Sequence, residues 1–484
     1  MTSRPASHAQ TGPIRAERGS ATAGAPSTPP ATPARLTVAL AAAVLTFSMM
    51  QTLIVPALPV FSAELGLDSA TVGWVLTAYL LSGAVAAPVI GSLGDRYGHR
   101  RTLVAAMLVF VLGAVLAACA QGLPLLLAGR VLQGAATASF PLAVAIVRSR
   151  LSGRAQAGAI GWLSGTLGLG AGLALVIGGA ITDLLSWQWL FAVGGALGLL
   201  SVLLVLRSVP ETSRAATAGS QDWPGIALLV VALLPLLLVV AQGARWGWGS
   251  PIVLGLAGLA ILGLVGLVFV ERRRAHPLID PALVTHRALA ATNALTLFLG
   301  FVPYAFYVGL PALLQAPAAG IGQGLGVTAT GAALLPGAVL VFLGGRAAPW
   351  LLGRLSGRVV AALALAVMLL GGAGIALAPG SLPAIVGFFC LIGLGNGIGF
   401  AVIAELIAGN VAPAGLGAAL GVNGVLRTVG SAFGTPISTL VLTTVGASAT
   451  GEAGEGGYRA LFLIAAAVSL VGAIVAFLVP APKR

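Results

Sequence analysis

Long apolar runs broken by short polar joints repeat along the whole chain. Fourteen such runs stand out: 36–61, 72–92, 101–120, 123–147, 157–182, 188–207, 224–242, 250–270, 289–314, 327–346, 357–378, 382–408, 416–445 and 457–480. About 20 apolar residues at a rise of 1.5 Å each cross the hydrocarbon core of a bilayer, so each run predicts a spanning helix. In lipid the backbone must satisfy its own hydrogen bonds, which helices of this length do internally. The pattern predicts an all-α polytopic membrane protein with two short tails. Residues 1–35 are rich in Ala, Pro, Ser and Thr and lack the apolar core of a signal peptide, which predicts a disordered tail. Residues 481–484 form the second tail.

The shortest informative joint lies between the second and third runs: Gly91-Ser92-Leu93-Gly94-Asp95-Arg96-Tyr97-Gly98-His99-Arg100-Arg101. A joint this short makes its two helices an antiparallel pair and puts its arginines at a membrane surface. The positive-inside rule assigns that surface to the cytoplasm. With fourteen spans, 21 basic side chains fall on the same side and only Arg245 and Arg459 on the other. Both termini are then cytoplasmic, while Arg130 and Arg427 stay within spans.

The joint after the tenth run reads Pro349-Trp-Leu-Leu-Gly353-Arg354-Leu-Ser-Gly357-Arg358. Laid on the first joint, Arg354 falls on Arg96 and Arg358 on Arg100, while Gly353 replaces Asp95. This degraded copy predicts two homologous six-helix bundles, 36–208 and 289–480, with a linker 209–288 carrying two extra spans. Trp223, Trp246 and Trp248 at the ends of the extra pair have the character of interfacial anchors.

Composition narrows the function classes. The chain of 484 residues is 58% hydrophobic and 8% charged, against about 25% charged in soluble domains. The net charge of +13 sits in the joints, where it serves topology and anionic headgroups and implies no nucleic-acid partner. The single lysine, Lys483, excludes a phosphate-cradling G-x-x-x-x-G-K-[ST] loop, and no G-x-S-x-G elbow occurs. Cys119 and Cys390 fall inside apolar runs, and the four histidines show no ligand spacing. No metal, cofactor or enzymatic chemistry is expected. One lysine beside 24 arginines points to a GC-rich bacterial genome, hence a bacterial cytoplasmic membrane.

The first joint closely resembles the loop signature between the second and third helices of the major facilitator superfamily, with Gly91, Leu93, Asp95, Arg96, Gly98, Arg100 and Leu103 in register. Arg130-Val-Leu-Gln133-Gly134 resembles its R-x-x-Q-G motif, with Pro141 following. The fifth run resembles the G-x-x-x-G-P-x-x-G-G signature of the drug:proton antiporters at Gly170, Gly178 and Gly179. It departs from that signature at Ala174-Leu175, and Gln188 stands where the arginine of the following W-R-W is usual. Thr52 to Pro59 resembles a first-span stretch of the fourteen-helix drug exporters, with Met50 in place of their acidic residue. The resemblance implies two six-helix bundles plus two additional helices. It further implies export of amphipathic small molecules, drugs or secondary metabolites, by alternating access with protons as the coupling partner. The chain would act as a monomer surrounded by lipid. A facilitator or a differently coupled transporter is the alternative, and a non-transporting membrane sensor stands behind it.

Residue roles follow as expectations. Gly91, Asp95, Arg96, Gly98 and Arg100 form a conformational-switch joint, with Asp95 reaching the helix start near Arg354 and Arg358. Arg130, Gln133, Gly134, Glu405 and Arg427 belong to the coupling or transport pathway; for Arg130 the competing reading is a side chain snorkelling to the interface. Gly170, Gly178 and Gly179 let helices approach closely. Aromatic and amide side chains on the cavity helices are substrate-contact candidates: Gln51, Trp74, Tyr79, Asn293, Phe298, Phe301, Tyr304, Tyr307, Asn396 and Asn423. Glu405 is the one acidic residue well inside a span, a candidate for proton coupling or for pairing with an arginine at the cytoplasmic end. Because Arg130 and Arg427 oppose it, the charge pattern predicts neutral or weakly anionic substrates over quaternary cations.

Overall fold

The computed structural model describes residues 32–67, 69–211, 222–274, 287–318, 320–411, 416–445 and 454–479. Most of the expected tail 1–35, the tail 481–484 and the linker segments 212–221 and 275–286 lie outside the described residues. The first run becomes α1 (Pro33–Thr52) and α2 (Leu58–Leu65), separated by a 3-10 turn, Val55–Ala57. The next two runs become α3 (Ser69–Tyr97) and α4 (His99–Ala118). The fourth is split into α5 (Leu123–Gln133) and α6 (Ser139–Arg150) around a 3-10 segment, Gly134–Ala138. Then follow α7 (Gly153–Leu184), α8 (Gln188–Ser208), α9 (Trp223–Trp246) and α10 (Pro251–Glu271). The last six are α11 (Arg287–Gln315), α12 (Val327–Leu352), α13 (Gly357–Leu377), α14 (Leu382–Asn410), α15 (Leu416–Thr444) and α16 (Glu455–Ala476).

Thirteen helical spans among the described residues, counting α5–α6 as one, are long and apolar enough to cross a membrane. With 29 residues, α15 has the length to cross as well. The chain is a multi-pass membrane protein.

The first joint is more helical than its glycines predict. α3 continues through Asp95 and Arg96 to Tyr97, and Gly98 alone makes the turn. Its φ of 99° is a backbone region that side chains strongly disfavour. Asp95 Oδ1 and His99 Nε2 are 2.9 Å apart, so the pair closes the turn from both sides. In contrast, α7 runs unbroken for 32 residues. With Ala174-Leu175 in place of Gly-Pro, every amide there can donate to the helix ladder.

α1 packs on α7 and α8, and α4 packs on α5 and α8, building a first half. α11 packs on α15 and α16, and α14 on α12 and α13, building a second. The two halves meet along two seams, α7 against α12 and α3 against α15.

Small residues make the first seam. A side chain at Gly165 would begin 2.6 Å from the Phe342 carbonyl oxygen, and one at Gly161 2.5 Å from that of Gly345. Gly168 and Gly172 face the side chains of Val341 and Ala338, and Gly179 lies against Thr328 near the far end. Backbones this close gain dispersion contacts that a bilayer does not otherwise reward. At the second seam Gly421 meets Pro88, whose Cα is 2.7 Å from a Cβ built there.

The additional pair, α9 and α10, does not stand apart. Leu229, Leu233 and Leu267 cluster with Val425 of α15 and with Val85 and Val89 of α3. Leu237 joins Leu81 and Ala84 of α3 a turn further on. The hairpin therefore lies over the α3–α15 seam and touches both halves, while Ile261, Leu262 and Val265 of α10 face outward.

Candidate functional site

Between the halves lies a cavity whose wall draws on α1, α3, α5–α6 and α7 from the first half and α11, α14 and α15 from the second. A second compartment continues from it toward Pro303, Tyr307 and Ser431. The two share Gln51, Leu167, Leu299, Phe400 and Arg427. Gln51 donates through Nε2 to the Tyr304 hydroxyl, a bond from α1 to α11 across the halves. Tyr304 meets Tyr307 edge to face at 5.9 Å, and Tyr307 meets Phe389 at 6.5 Å. The walls are thus apolar and aromatic with a few polar atoms, the composition that binds flat amphipathic ligands.

The two arginines inside the spans have opposite surroundings. Arg130, at 0% exposure, is held by three acceptors: Nε donates to the Val75 carbonyl at 2.9 Å, Nη1 to Gln133 Oε1 at 2.6 Å and Nη2 to the Met50 carbonyl at 3.4 Å. The Tyr79 ring covers one guanidinium face at 4.3 Å, and the Tyr79 hydroxyl donates to the Phe47 carbonyl at 3.1 Å. Arg130 therefore joins α1, α3 and α5 inside the first half and does not snorkel. Gln133 is its acceptor, and Gly134 lets the chain pass 2.7 Å from the Gly83 amide nitrogen, measured from a built Cβ.

Arg427 is placed otherwise. Its guanidinium lies over the rings of Phe47, at 5.9 Å, and Phe400, at 5.6 Å, one ring from each half. Such contacts are worth about 0.5–2 kcal/mol and leave the N–H edge untouched. Its side chain makes no hydrogen bond or ion pair among the described residues, and no Asp or Glu lines either compartment.

At the end of the bundle that bears the Gly98 turn, charges gather. Glu211 takes Arg100 Nη1 at 2.6 Å, pairs with Arg101, and accepts from Arg150 on its backbone carbonyl. This ties the ends of α4, α6 and α8. Arg96 stands over Tyr97 at 5.1 Å, and Arg354 over Trp350 at 4.0 Å. Glu405 of α14 is half-buried, and the charge acting on it is Arg148 of α6, across the halves.

These features are matched by known sequences. The profile of the Major Facilitator Superfamily covers residues 40–435. The chain belongs to the major facilitator superfamily. An uncharacterized MFS-type transporter of Mycobacterium tuberculosis is 30% identical over 423 residues, 85% of this chain and 60% of that protein. The chain thus spans about 60% of the length of that relative. The cephamycin export protein CmcT of Amycolatopsis lactamdurans is 31% identical over 412 residues, 82% of each chain. The crystal structure of the human organic anion transporter MFSD10 (TETRAN) superposes with a TM-score of 0.60 at 16% identity, covering 92% of this chain and 99% of that one. That likeness is one of fold.

Within this major facilitator fold the predicted contact residues separate. Tyr79 and Asn423 line the first compartment, Tyr304, Tyr307 and Asn396 the second, and Gln51 both. Trp74 packs against the cluster that Leu81 and Ala84 form with Leu237 of α9 and lines neither compartment. Phe301 is buried in the helix core, Phe298 lies against Gly472 of α16, and Asn293 holds the Asn423 amide at 3.0 Å, which also donates to Thr296 at 2.7 Å. Of the three glycines, Gly170 and Gly178 admit α1 at Ser48 and Leu53, and Gly179 admits α12. Gly91 is a buried position within α3.

Phe47 and Phe400 were not among the sequence candidates, although helical spacing marks them. Phe47 lies four residues before Gln51 and Phe400 four after Asn396, on the same faces.

Proposed function

We propose that the chain is a secondary transporter that exports amphipathic small molecules by alternating access, with protons moving inward in exchange. The observation that carries this is the cavity itself, walled by both halves and spanned by the Gln51–Tyr304 hydrogen bond. A ligand there touches both halves at once, so rocking of one against the other about it changes the face to which it is open. The glycine-lined α7–α12 seam and the α3–α15 seam, with Gly421 against Pro88, are the surfaces on which such motion takes place. The cephamycin exporter among its relatives supports export as the direction.

The end bearing the Gly98 turn is assigned to the cytoplasm, with both termini there, from the distribution of arginines. Asp95, beside His99 here, is assigned to a latch with Arg354 and Arg358 at the start of α13, because a carboxylate gains from both a helix N-terminus and arginines. Glu405, half-buried and within the field of Arg148, is assigned to proton coupling. A differently coupled transporter is the second reading, favoured by the absence of any carboxylate from the cavity wall among the described residues.

Purified chain in proteoliposomes, given a radiolabelled cephamycin and a panel of amphipathic dyes with and without a pH gradient, tests both. Accumulation that requires the gradient supports proton antiport. Movement indifferent to the gradient supports the second reading, and no movement of any compound contradicts transport.

A further inference from the structure

Arg130 and Arg427 are equally intramembrane, and only one is chemically complete. Arg130 has an acceptor on each of its three nitrogens. Arg427 has the Phe47 and Phe400 rings at 5.9 and 5.6 Å and lines both compartments of the cavity. Neither ring accepts its N–H groups as a carbonyl or carboxylate would, so the guanidinium fork has no oxygen acceptor among the described residues while it lines both compartments. A planar two-oxygen acceptor fits that fork with two parallel hydrogen bonds.

The surrounding field reinforces this. Arg130 lies directly behind Tyr79, which lines the same cavity, and no Asp or Glu among the described residues lines either compartment. Glu405 lies in the field of Arg148, at the end of the bundle that bears the Gly98 turn, and lines neither compartment. A charge in a low-dielectric cavity is costly without an opposing one. A carboxylate entering here gains a partner, whereas a quaternary ammonium meets a second positive charge.

We infer that the cavity selects amphipathic molecules carrying a carboxylate, bound by two hydrogen bonds to the Arg427 guanidinium. The apolar body lies against Leu167 and Leu299, the leucines common to both compartments. Arg427 lines both compartments, so the anchor stays in contact with its ligand as the cavity changes its opening. This inference rests on the cavity being the transport site and names its substrate class. Water as the sole partner of Arg427 is the competing account, and it gives no preference for anions.

The test uses three fluorescent probes of one shape: anthracene-2-carboxylate, anthracene-2-carboxamide and 2-anthryl-trimethylammonium. Equilibrium binding to the full chain in nanodiscs is measured beside uptake into proteoliposomes, for wild type, Arg427→Gln and Arg427→Lys. Wild type binds the carboxylate at least about tenfold more tightly than the other two. Arg427→Gln loses that factor for the carboxylate while its carboxamide affinity stays within about twofold, which also reports an intact fold. Arg427→Lys keeps the order of carboxylate over carboxamide with a smaller margin.

Equal losses for carboxylate and carboxamide in Arg427→Gln, or a wild type that favours the ammonium probe, overturn the inference. Uptake of the probes without charge preference leaves transport standing and removes the anion anchor. Carboxylate binding that depends on Arg427 without uptake of any probe leaves the anchor and removes transport. No binding of any probe removes both.

Discussion

Gln51 of α1 and Tyr304 of α11 are hydrogen-bonded across the cavity, and Gln51 belongs to the wall that the two compartments share. A neutral hydrogen bond contributes about 1 kcal/mol net. Tyr304→Phe removes it with almost no change of shape, so it shifts the balance between the two openings by about fivefold. Thiol accessibility of a cysteine placed in the cavity reports that balance. An unchanged accessibility pattern in Tyr304→Phe means that this bond does not discriminate between the states.

The α7–α12 seam makes a sharper demand. A Cβ at Gly165 falls 2.6 Å from the Phe342 carbonyl oxygen, while one at Gly158 on the same helix meets nothing within 4 Å. Gly165→Val is therefore expected to abolish transport while the protein still reaches the membrane, since backbone cannot move aside as a side chain can. Gly158→Ala is expected to transport as wild type. Normal transport in Gly165→Val contradicts a tight seam.

Arg130 is predicted to be irreplaceable by lysine. An ammonium cannot reach the Val75 and Met50 carbonyls and Gln133 together, and each charge-assisted hydrogen bond lost costs about 1.5–3 kcal/mol. Arg130→Lys should unfold several degrees lower in a thermal melt and transport poorly. A wild-type melting temperature would show that the three acceptors contribute little to holding the first half together.

Glu405→Gln keeps the size of the side chain and removes its proton chemistry. The expected outcome is loss of gradient-driven accumulation with preserved exchange of substrate down its own gradient. Undiminished gradient-driven accumulation removes Glu405 from the coupling pathway.

Much of the architecture is legible in the sequence because length and hydropathy alone decide whether a helix crosses a bilayer. Runs such as 188–207 and 357–378 match α8 and α13 within a residue or two. Joints are less legible: Asp95 and Arg96 are polar yet helical, so hydropathy ends α3 five residues too early. Facing is least legible of all. An aromatic on a spanning helix has three apolar surroundings open to it, namely lipid, a neighbouring helix and the cavity. Trp74, with α9 beside it, went to the second, while Phe47 and Phe400 went to the third. The glycines of α7 show the same division, since Gly170 and Gly178 admit α1 and Gly161, Gly165 and Gly168 admit α12. Only the neighbours of a helix say which of its glycines belong to the seam between the halves.

The central claim is that the halves rock about the cavity, and distances at the two ends of the α7–α12 seam test it most directly. Spin labels at Arg154 and Leu355 report the end that bears the Gly98 turn, and labels at Leu184 and Ala329 the other; all four positions are exposed. With Cys119 and Cys390 replaced, electron–electron resonance is recorded in proteoliposomes with and without transported substrate and a pH gradient. The account predicts that one distance lengthens as the other shortens, in the same sample and under the same change. Two distances that move together, or that both stay fixed while substrate is transported, would contradict it.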